Sequence, residues 1–140
     1  MSYNDPSGLA KCKYSISTGS LTCTSNDGSQ TFDLNAISGN KDNRNDPSKT
    51  GVKGGPVPIG HYDLSKVDGD KSSMDWFLDP GLKSRIGYRL GLNRGGFNMH
   101  LRPGGSEGCI NSKGNSRDTL QNLNNLLIKE AGANTIDVGF

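Results

Sequence analysis

The chain contains, at residues 97–109, the stretch Phe97-Asn98-Met99-His100-Leu101-Arg102-Pro103-Gly104-Gly105-Ser106-Glu107-Gly108-Cys109. Apolar and polar residues alternate over residues 97–102, which is typical of a β-strand with one face on a core. We expect Phe97, Met99 and Leu101 on the core face and Asn98, His100 and Arg102 on the other. The polar, glycine-rich loop 103–109 then leads the chain to Cys109.

Further strands separated by polar turns are predicted on both sides of this stretch. Segments with strand character recur at residues 12–17, 21–24, 31–37, 58–64, 86–92 and 135–140. A long polar insertion occupies residues 38–57, and residues 66–85, which contain the only tryptophan, are expected to be irregular. Clear periodicity in several segments argues against a disordered chain.

One amphipathic helix is predicted over residues 116–131. Ser116 is a suitable N-cap, Asp118 favours the positive helix start, and Gly132 suits the position after the helix end. An apolar stripe follows helical spacing at Leu120, Leu123, Leu127 and Ala131. The pattern as a whole predicts a mainly β domain with one C-terminal helix, spanning residues 1–140 as a single unit.

Composition and charge exclude several classes of protein. The chain has 140 residues, an apolar fraction of 31% and 20 glycines, which suits short strands and many turns. A formal net charge of +2, with no run of Lys or Arg, argues against a nucleic-acid-binding surface. No apolar stretch approaches the ~20 residues needed to span a bilayer. Residues 1–6 lack the features of a secretory signal peptide, so we expect synthesis in the cytoplasm.

Three cysteines are present, so at least one of them is unpaired within the monomer. Cys12 and Cys23 flank a predicted hairpin around residues 18–20. They could form a cross-strand disulfide in an oxidising compartment, or remain two half-buried thiols in a reduced protein. The sequence leaves both alternatives open.

The third cysteine, Cys109, follows the strand predicted over residues 97–102 and ends the glycine-rich loop. A cysteine nucleophile needs a base to form thiolate and amide donors for the oxyanion of a tetrahedral intermediate. His100 on the polar strand face can act as the base, and the loop can fold Cys109 back beside it. Gly108 lets backbone approach a substrate carbonyl closely, so the amides of Gly108 and Cys109 are the oxyanion candidates. A buried structural thiol and an ordinary strand histidine are the alternatives.

The string Ser106-Glu107-Gly108-Cys109-Ile110-Asn111 resembles the signature of the L,D-transpeptidases. That pattern is Ser or Thr, His, Gly, the catalytic Cys, an apolar residue, and Asn or Arg, so Glu107 is the one departure. The turn Pro56-Val57-Pro58-Ile59-Gly60-His61-Tyr62 is similar to one that precedes a strand in the same domain. The similarity covers roughly residues 55–112. A compact subgroup, the L,D-transpeptidase effectors of type VI secretion, uses an upstream His as base, and this chain resembles it.

The resemblance implies a β-sandwich or barrel and a peptidoglycan stem peptide as substrate. It implies that Cys109 attacks the third stem residue and expels the terminal D-alanine, giving L,D-carboxypeptidase or L,D-transpeptidase activity. His100 is then the base, and Ser106 orients the loop or the imidazole. Arg102 and Arg94 are candidates for a substrate carboxylate, although either could equally be a solvated side chain.

The same resemblance implies where the protein acts and what it meets there. It implies secretion into the periplasm of a target bacterium, where the protein would act as an antibacterial effector. A cognate immunity protein is a further partner that it implies. No cofactor and no metal are expected, because Cys109, His100 and His61 lack paired-ligand spacing.

Two other functions compete with this one. NlpC-type and papain-like enzymes place the catalytic Cys before the His, whereas no His follows Cys109 here. A non-catalytic cell-wall-binding or toxin-inhibitor β domain is the alternative that remains. It requires the arrangement of His100 and Cys109 to be an accident.

Overall fold

The computed structural model describes residues 10–50, 54–67, 74–80, 97–101, 109–132 and 134–140. The strands within these ranges are β1 (Lys11–Ser15), β2 (Ser20–Thr24), β3 (Thr31–Ser38), β4 (Gly60–Lys66), β5 (Asp75–Asp79), β6 (Asn98–His100), β7 (Ile110–Ser112) and β8 (Asn134–Gly139). One α-helix in the described part of the chain, α1 (Arg117–Lys129), lies between β7 and β8. The expected strand at residues 86–92 lies outside the described residues.

The strands form a closed barrel in the order β1-β2-β3-β7-β6-β5-β4-β8. The last strand closes it, because β8 pairs in parallel with β1 and antiparallel with β4. The neighbours β6 and β7 are also parallel, with Met99 beside Ile110 and His100 beside Asn111. The predicted mainly β fold with one C-terminal helix is confirmed, whereas its extent as one domain over residues 1–140 stays a prediction.

The barrel interior is filled by alternate residues of the strands. Along residues 97–101, the side chains of Phe97, Met99 and Leu101 are all buried, as the alternation predicts. Their neighbours Asn98 and His100 are only partly buried and face the other way. Burying one face in this way fixes the register, since a slip by one residue would turn His100 into the core.

The helix α1 begins as the sequence predicts and packs its apolar stripe into the same core. Ser116 caps it, with Oγ accepting a hydrogen bond from the Thr119 amide at 3.1 Å. Its buried leucines belong to the barrel core and are Leu120, Leu123, Leu126 and Leu127. The expectation for Ala131 is wrong: the helix ends at Lys129, so Ala131 lies beyond it and is exposed.

Residues 66–85 are not uniformly irregular, because they include β5. Trp76 and Leu78 are buried in the barrel, and Trp76 lies beside Met99 of β6. The indole Nε1 of Trp76 donates a 3.0 Å hydrogen bond to Oδ1 of the buried Asn124 on α1. This bond fastens β5 to the helix across the core.

The polar insertion is held against the barrel by side-chain hydrogen bonds. It includes two 3₁₀ turns, Lys41–Asn43 and Pro47–Lys49. Between them, Asn45 has a positive φ of 53°. Its Oδ1 accepts hydrogen bonds from the Tyr14 hydroxyl at 2.7 Å and the Ser38 amide at 2.8 Å. These bonds anchor the insertion to β1 and β3.

The open question about two of the cysteines is answered by a disulfide between Cys12 and Cys23. The two residues are direct partners in the antiparallel β1–β2 pair, and both are buried. The third cysteine, Cys109, forms no disulfide within the described residues. Among the helical residues that the structure describes, none forms a segment long and apolar enough to cross a membrane.

Reducing the disulfide is expected to lower the free energy of unfolding. The bond joins residues 11 positions apart, and closing a loop of that length restricts the unfolded chain by about 3 kcal/mol. Urea unfolding with and without a thiol-free reductant measures the difference, with Cys109→Ala as the background so that the third thiol plays no part. If the protein unfolds at the same urea midpoint when Cys12 and Cys23 are reduced to thiols, the expectation is wrong.

Replacing the helix residue Asn124 is expected to destabilise the barrel through Trp76. In Asn124→Leu the buried indole N–H loses its acceptor, which costs about 1–3 kcal/mol of unfolding free energy. Urea unfolding followed by the fluorescence of the single tryptophan measures it. Asn125→Leu on the exposed side of α1 is the matched control. Equal stability of the two variants would show that this hydrogen bond contributes little.

Candidate active site

The strand register gathers a set of polar side chains on the outer face of β5, β6 and β7. Trp76, Met99 and Ile110 point into the core, so their chain neighbours point outward. His100 lies beside Asp75 of β5 on one side and Asn111 of β7 on the other. The outward set of side chains is Asp75, Asn98, His100, Cys109 and Asn111.

Cys109 directly precedes β7 and is 3% exposed. The backbone amide of Asn98 lies 3.4 Å from its Sγ, in position to donate a hydrogen bond. Cys109 also lies close enough to the imidazole of His100 to raise the pKa of that ring. A structural cysteine would be expected to face aliphatic side chains, whereas this sulfur faces a hydrogen-bond donor and a titratable ring.

The imidazole of His100 is held by a carboxylate from the neighbouring strand. Its Nδ1 lies 2.7 Å from Oδ1 of Asp75, and the two side chains are only 16% and 14% exposed. Because an ionised carboxylate only accepts hydrogen bonds, the proton is on Nδ1. The other ring nitrogen, Nε2, is therefore the one available to the sulfur.

The ring nitrogen Nε2 of His100 is buried on the side of the imidazole away from Asp75. Among the described residues, Nε2 has no hydrogen-bond partner of ordinary geometry. The hydrogen-bonding contact with Cys109 is nevertheless the largest influence that raises the pKa of His100, and Asp75 adds to it. Burial acts in the opposite direction, and the result is a pKa of about 8. In unliganded enzymes, catalytic hydrogen bonds are often long or poorly aligned and tighten when a substrate binds.

Asn111 supports the other side of the site. It is buried, and its Nδ2 lies 3.3 Å from the backbone oxygen of Cys109. This hydrogen bond restrains the backbone at the residue that carries the sulfur. Within the described residues, its Oδ1 is buried without a partner, so an acceptor remains available on this face.

The structure brings together two of the residues that the sequence singles out, His100 and Cys109. Their catalytic roles stay predictions. The other candidates, Ser106, Gly108, Arg102 and Arg94, lie outside the described residues. His61 lies elsewhere on the barrel, on β4, where its Nδ1 is 2.5 Å from Oδ1 of the exposed Asp137 on β8.

Asp75 is the residue of this site that the sequence analysis does not identify. It lies at the start of β5, in a segment expected to be irregular. The alternation of Trp76 and Leu78 with Asp75 and Phe77 was the available signal for a strand. The segment is short, and both of its ends carry aspartates, which are typical of turns.

The described arrangement places a thiol and an imidazole together, the pair of groups that acyl transfer by a thiol requires. A carboxylate fixes the imidazole, and the imidazole can take up the thiol proton. The Asn98 amide favours negative charge on the sulfur. A contact that raises the pKa of the imidazole also favours the thiolate beside it, since the two charges attract each other.

Comparisons with known proteins identify the family of this chain. The family model described as the Tlde1 domain matches residues 32–137. A solved structure, L,D-transpeptidase 1 of Mycobacterium tuberculosis, is similar over 94% of this chain, with a TM-score of 0.49 and 19% sequence identity. The chain spans 62% of the length of that structure. A search of curated proteins gave no match. Because the family model covers well over half of its residues, the chain belongs to the Tlde1 domain family, the type VI secretion effectors of the L,D-transpeptidase kind.

Proposed function

We propose that the protein is a cysteine enzyme that cleaves the L,D bond before the terminal D-alanine of peptidoglycan stem tetrapeptides. The observation that carries this proposal is the contact between Cys109 and an imidazole whose far nitrogen is held by a carboxylate. Family membership supports the substrate class, and the geometry supports Cys109 as the nucleophile and His100 as the base.

The first half of the reaction makes an acyl-enzyme. His100 takes the thiol proton at Nε2, and the Cys109 thiolate attacks the carbonyl carbon of the third stem residue. The tetrahedral intermediate collapses to a thioester when the C–N bond to D-alanine breaks. The proton on His100 passes to the leaving amine, so the imidazole returns to its neutral form.

The second half releases the enzyme. Water can attack the thioester with His100 as base. The product is a free carboxylate, and the overall reaction is that of an L,D-carboxypeptidase. The amine of another stem peptide or of a D-amino acid gives a crosslink or an exchange product instead. In each case the C–S bond breaks and the thiolate of Cys109 is regenerated.

The remaining roles come from the resemblance. The amides of Gly108 and Cys109 are proposed to bind the oxyanion, and Ser106 to orient the loop or the ring. Arg102 and Arg94 are proposed to bind a substrate carboxylate. The proposed setting is secretion into the periplasm of a target bacterium, with a cognate immunity protein as partner.

Digestion of purified tetrapeptide muropeptides tests the proposed activity. The wild-type protein is expected to release the terminal D-alanine, detected by mass spectrometry of the shortened product. Cys109→Ala and His100→Ala are expected to lose this activity, by at least about 10²-fold for the base variant. His61→Ala is the matched control, because it removes the other histidine, on a different part of the barrel, and should retain full activity.

Several results would change this assignment. Activity that survives in His100→Ala would move the base to another residue. Binding of intact sacculi by wild type and Cys109→Ala alike, without any release of D-alanine, would favour the non-catalytic wall-binding alternative.

Titration of His100 tests the contact without any substrate. Its pKa in the folded protein is about 8, above the ordinary value near 6.5. The contribution of protonated His100 to the stability of the folded state is therefore complete below the ordinary pKa. It is lost as the pH rises through about 8. NMR of the histidine C2 protons, assigned with His61→Ala, measures this pKa. Cys109→Ala should lower it, because the largest cause of the shift is removed, and an unchanged pKa would place the sulfur too far away.

A further inference from the structure

The carboxylate of Asp75 has no assigned role in the signature that identifies the nucleophile and the base. We infer that Asp75 is a positioning residue of the active site, which fixes the His100 ring so that Nε2 faces the sulfur of Cys109. The inference rests on the proposed function of that cysteine and histidine, and it adds a third member from a separate strand.

The contact geometry has the form that such a role requires. Asp75 and His100 are direct partners in the antiparallel β5–β6 pair, and their side chains meet at 2.7 Å between Oδ1 and Nδ1. Both side chains are more than four-fifths buried, so water competes weakly for this hydrogen bond. In the described part of the chain, no other acceptor is bonded to Nδ1.

The carboxylate has two consequences for the ring. It keeps the proton on Nδ1, which leaves the lone pair of neutral His100 on Nε2 for the thiol proton. It also stabilises the imidazolium that forms after that proton is taken up, since a negative charge lies beside the new positive one. Without it, the ring could rotate or take the other tautomer.

The backbone holds Asp75 in place independently of its side chain. The Leu101 amide donates to the Met74 oxygen at 3.0 Å, and the Leu78 amide donates to the Phe97 oxygen at 2.9 Å. On the opposite face of β5, Trp76 is fastened to Asn124 of the helix. The carboxylate therefore lies on a strand that is bonded at both ends and anchored from behind, which is how a side chain can be kept within a few tenths of an ångström of its partner.

The test compares Asp75→Ala and Asp75→Asn with the wild type. The alanine variant removes the acceptor, whereas the asparagine variant keeps an oxygen that can accept from Nδ1 but has no charge. Asp63→Asn is the matched control, because Asp63 is an exposed aspartate on the adjacent strand β4. Circular dichroism and thermal unfolding establish that each variant is folded. If Asp75→Ala does not fold, Asp75→Asn is measured in its place.

Alkylation of Cys109 by iodoacetamide between pH 5 and pH 9 is the first measurement. In the wild type, a reactive phase is expected well below the ordinary thiol pKa of about 8.5. In Asp75→Ala that phase should move to higher pH and the rate near pH 7 should fall, with Asp75→Asn between the two. The NMR pKa of His100 should also fall in both variants, because each removes the negative charge beside the ring; the shift of the alkylation profile is the result that a purely structural role of Asp75 would not produce.

Muropeptide digestion is the second measurement. The kcat of Asp75→Ala should fall by at least about tenfold with little change in KM, since orientation of the base acts on the chemical step. A folded Asp75→Ala with the wild-type alkylation profile and kcat overturns the inference. If the wild type releases no D-alanine but the alkylation and His100 titration still respond to Asp75, the proposed function fails and the positioning role stands.

Discussion

The parallel pairing of β6 with β7 is the constraint on which the site depends. An antiparallel pair could be joined by a tight hairpin, whereas a parallel pair requires the chain to travel back along the strand before it starts again. The chain makes that return between His100 at the end of β6 and Ile110 at the start of β7. Cys109 thereby reaches the level of Asn98, whose amide lies 3.4 Å from the sulfur. Asn98 and Cys109 are 11 positions apart in the sequence, and they come into contact because the sheet places the two strands side by side.

Core packing and site chemistry are coupled by the alternation of the strands. Met99 and Ile110 are wholly buried and lie beside each other in the core. Their neighbours His100 and Cys109 must then point to the opposite face, so the apolar core sets the orientation of the polar site. The same logic applies to Asp75, because its neighbour Trp76 is buried and bonded to the helix. Changes in the core would therefore be felt at the site as changes in orientation.

The sequence predicts the parts of this arrangement that follow from local pattern. Alternation over residues 97–102 identifies the two faces of β6, and capping by Ser116 identifies the start of α1. It does not predict the partner of His100, because strand order and register depend on long-range pairing. It also misses β5, whose five residues carry aspartates at both ends. Ala131 shows the limit of helical periodicity, since spacing alone cannot tell where the last turn unwinds.

A base that is held by strands explains how the departure at Glu107 can be tolerated. In the proposed mechanism the proton acceptor is His100, whose ring is oriented by Asp75 through a register fixed by the barrel. Neither residue belongs to the segment between the base and the nucleophile. The residue directly before Gly108 therefore need not take up a proton, and a carboxylate at that position removes no part of the proton path. In the same mechanism the segment is proposed to supply amides for the oxyanion, and an amide donor is a property of the backbone rather than of the side chain.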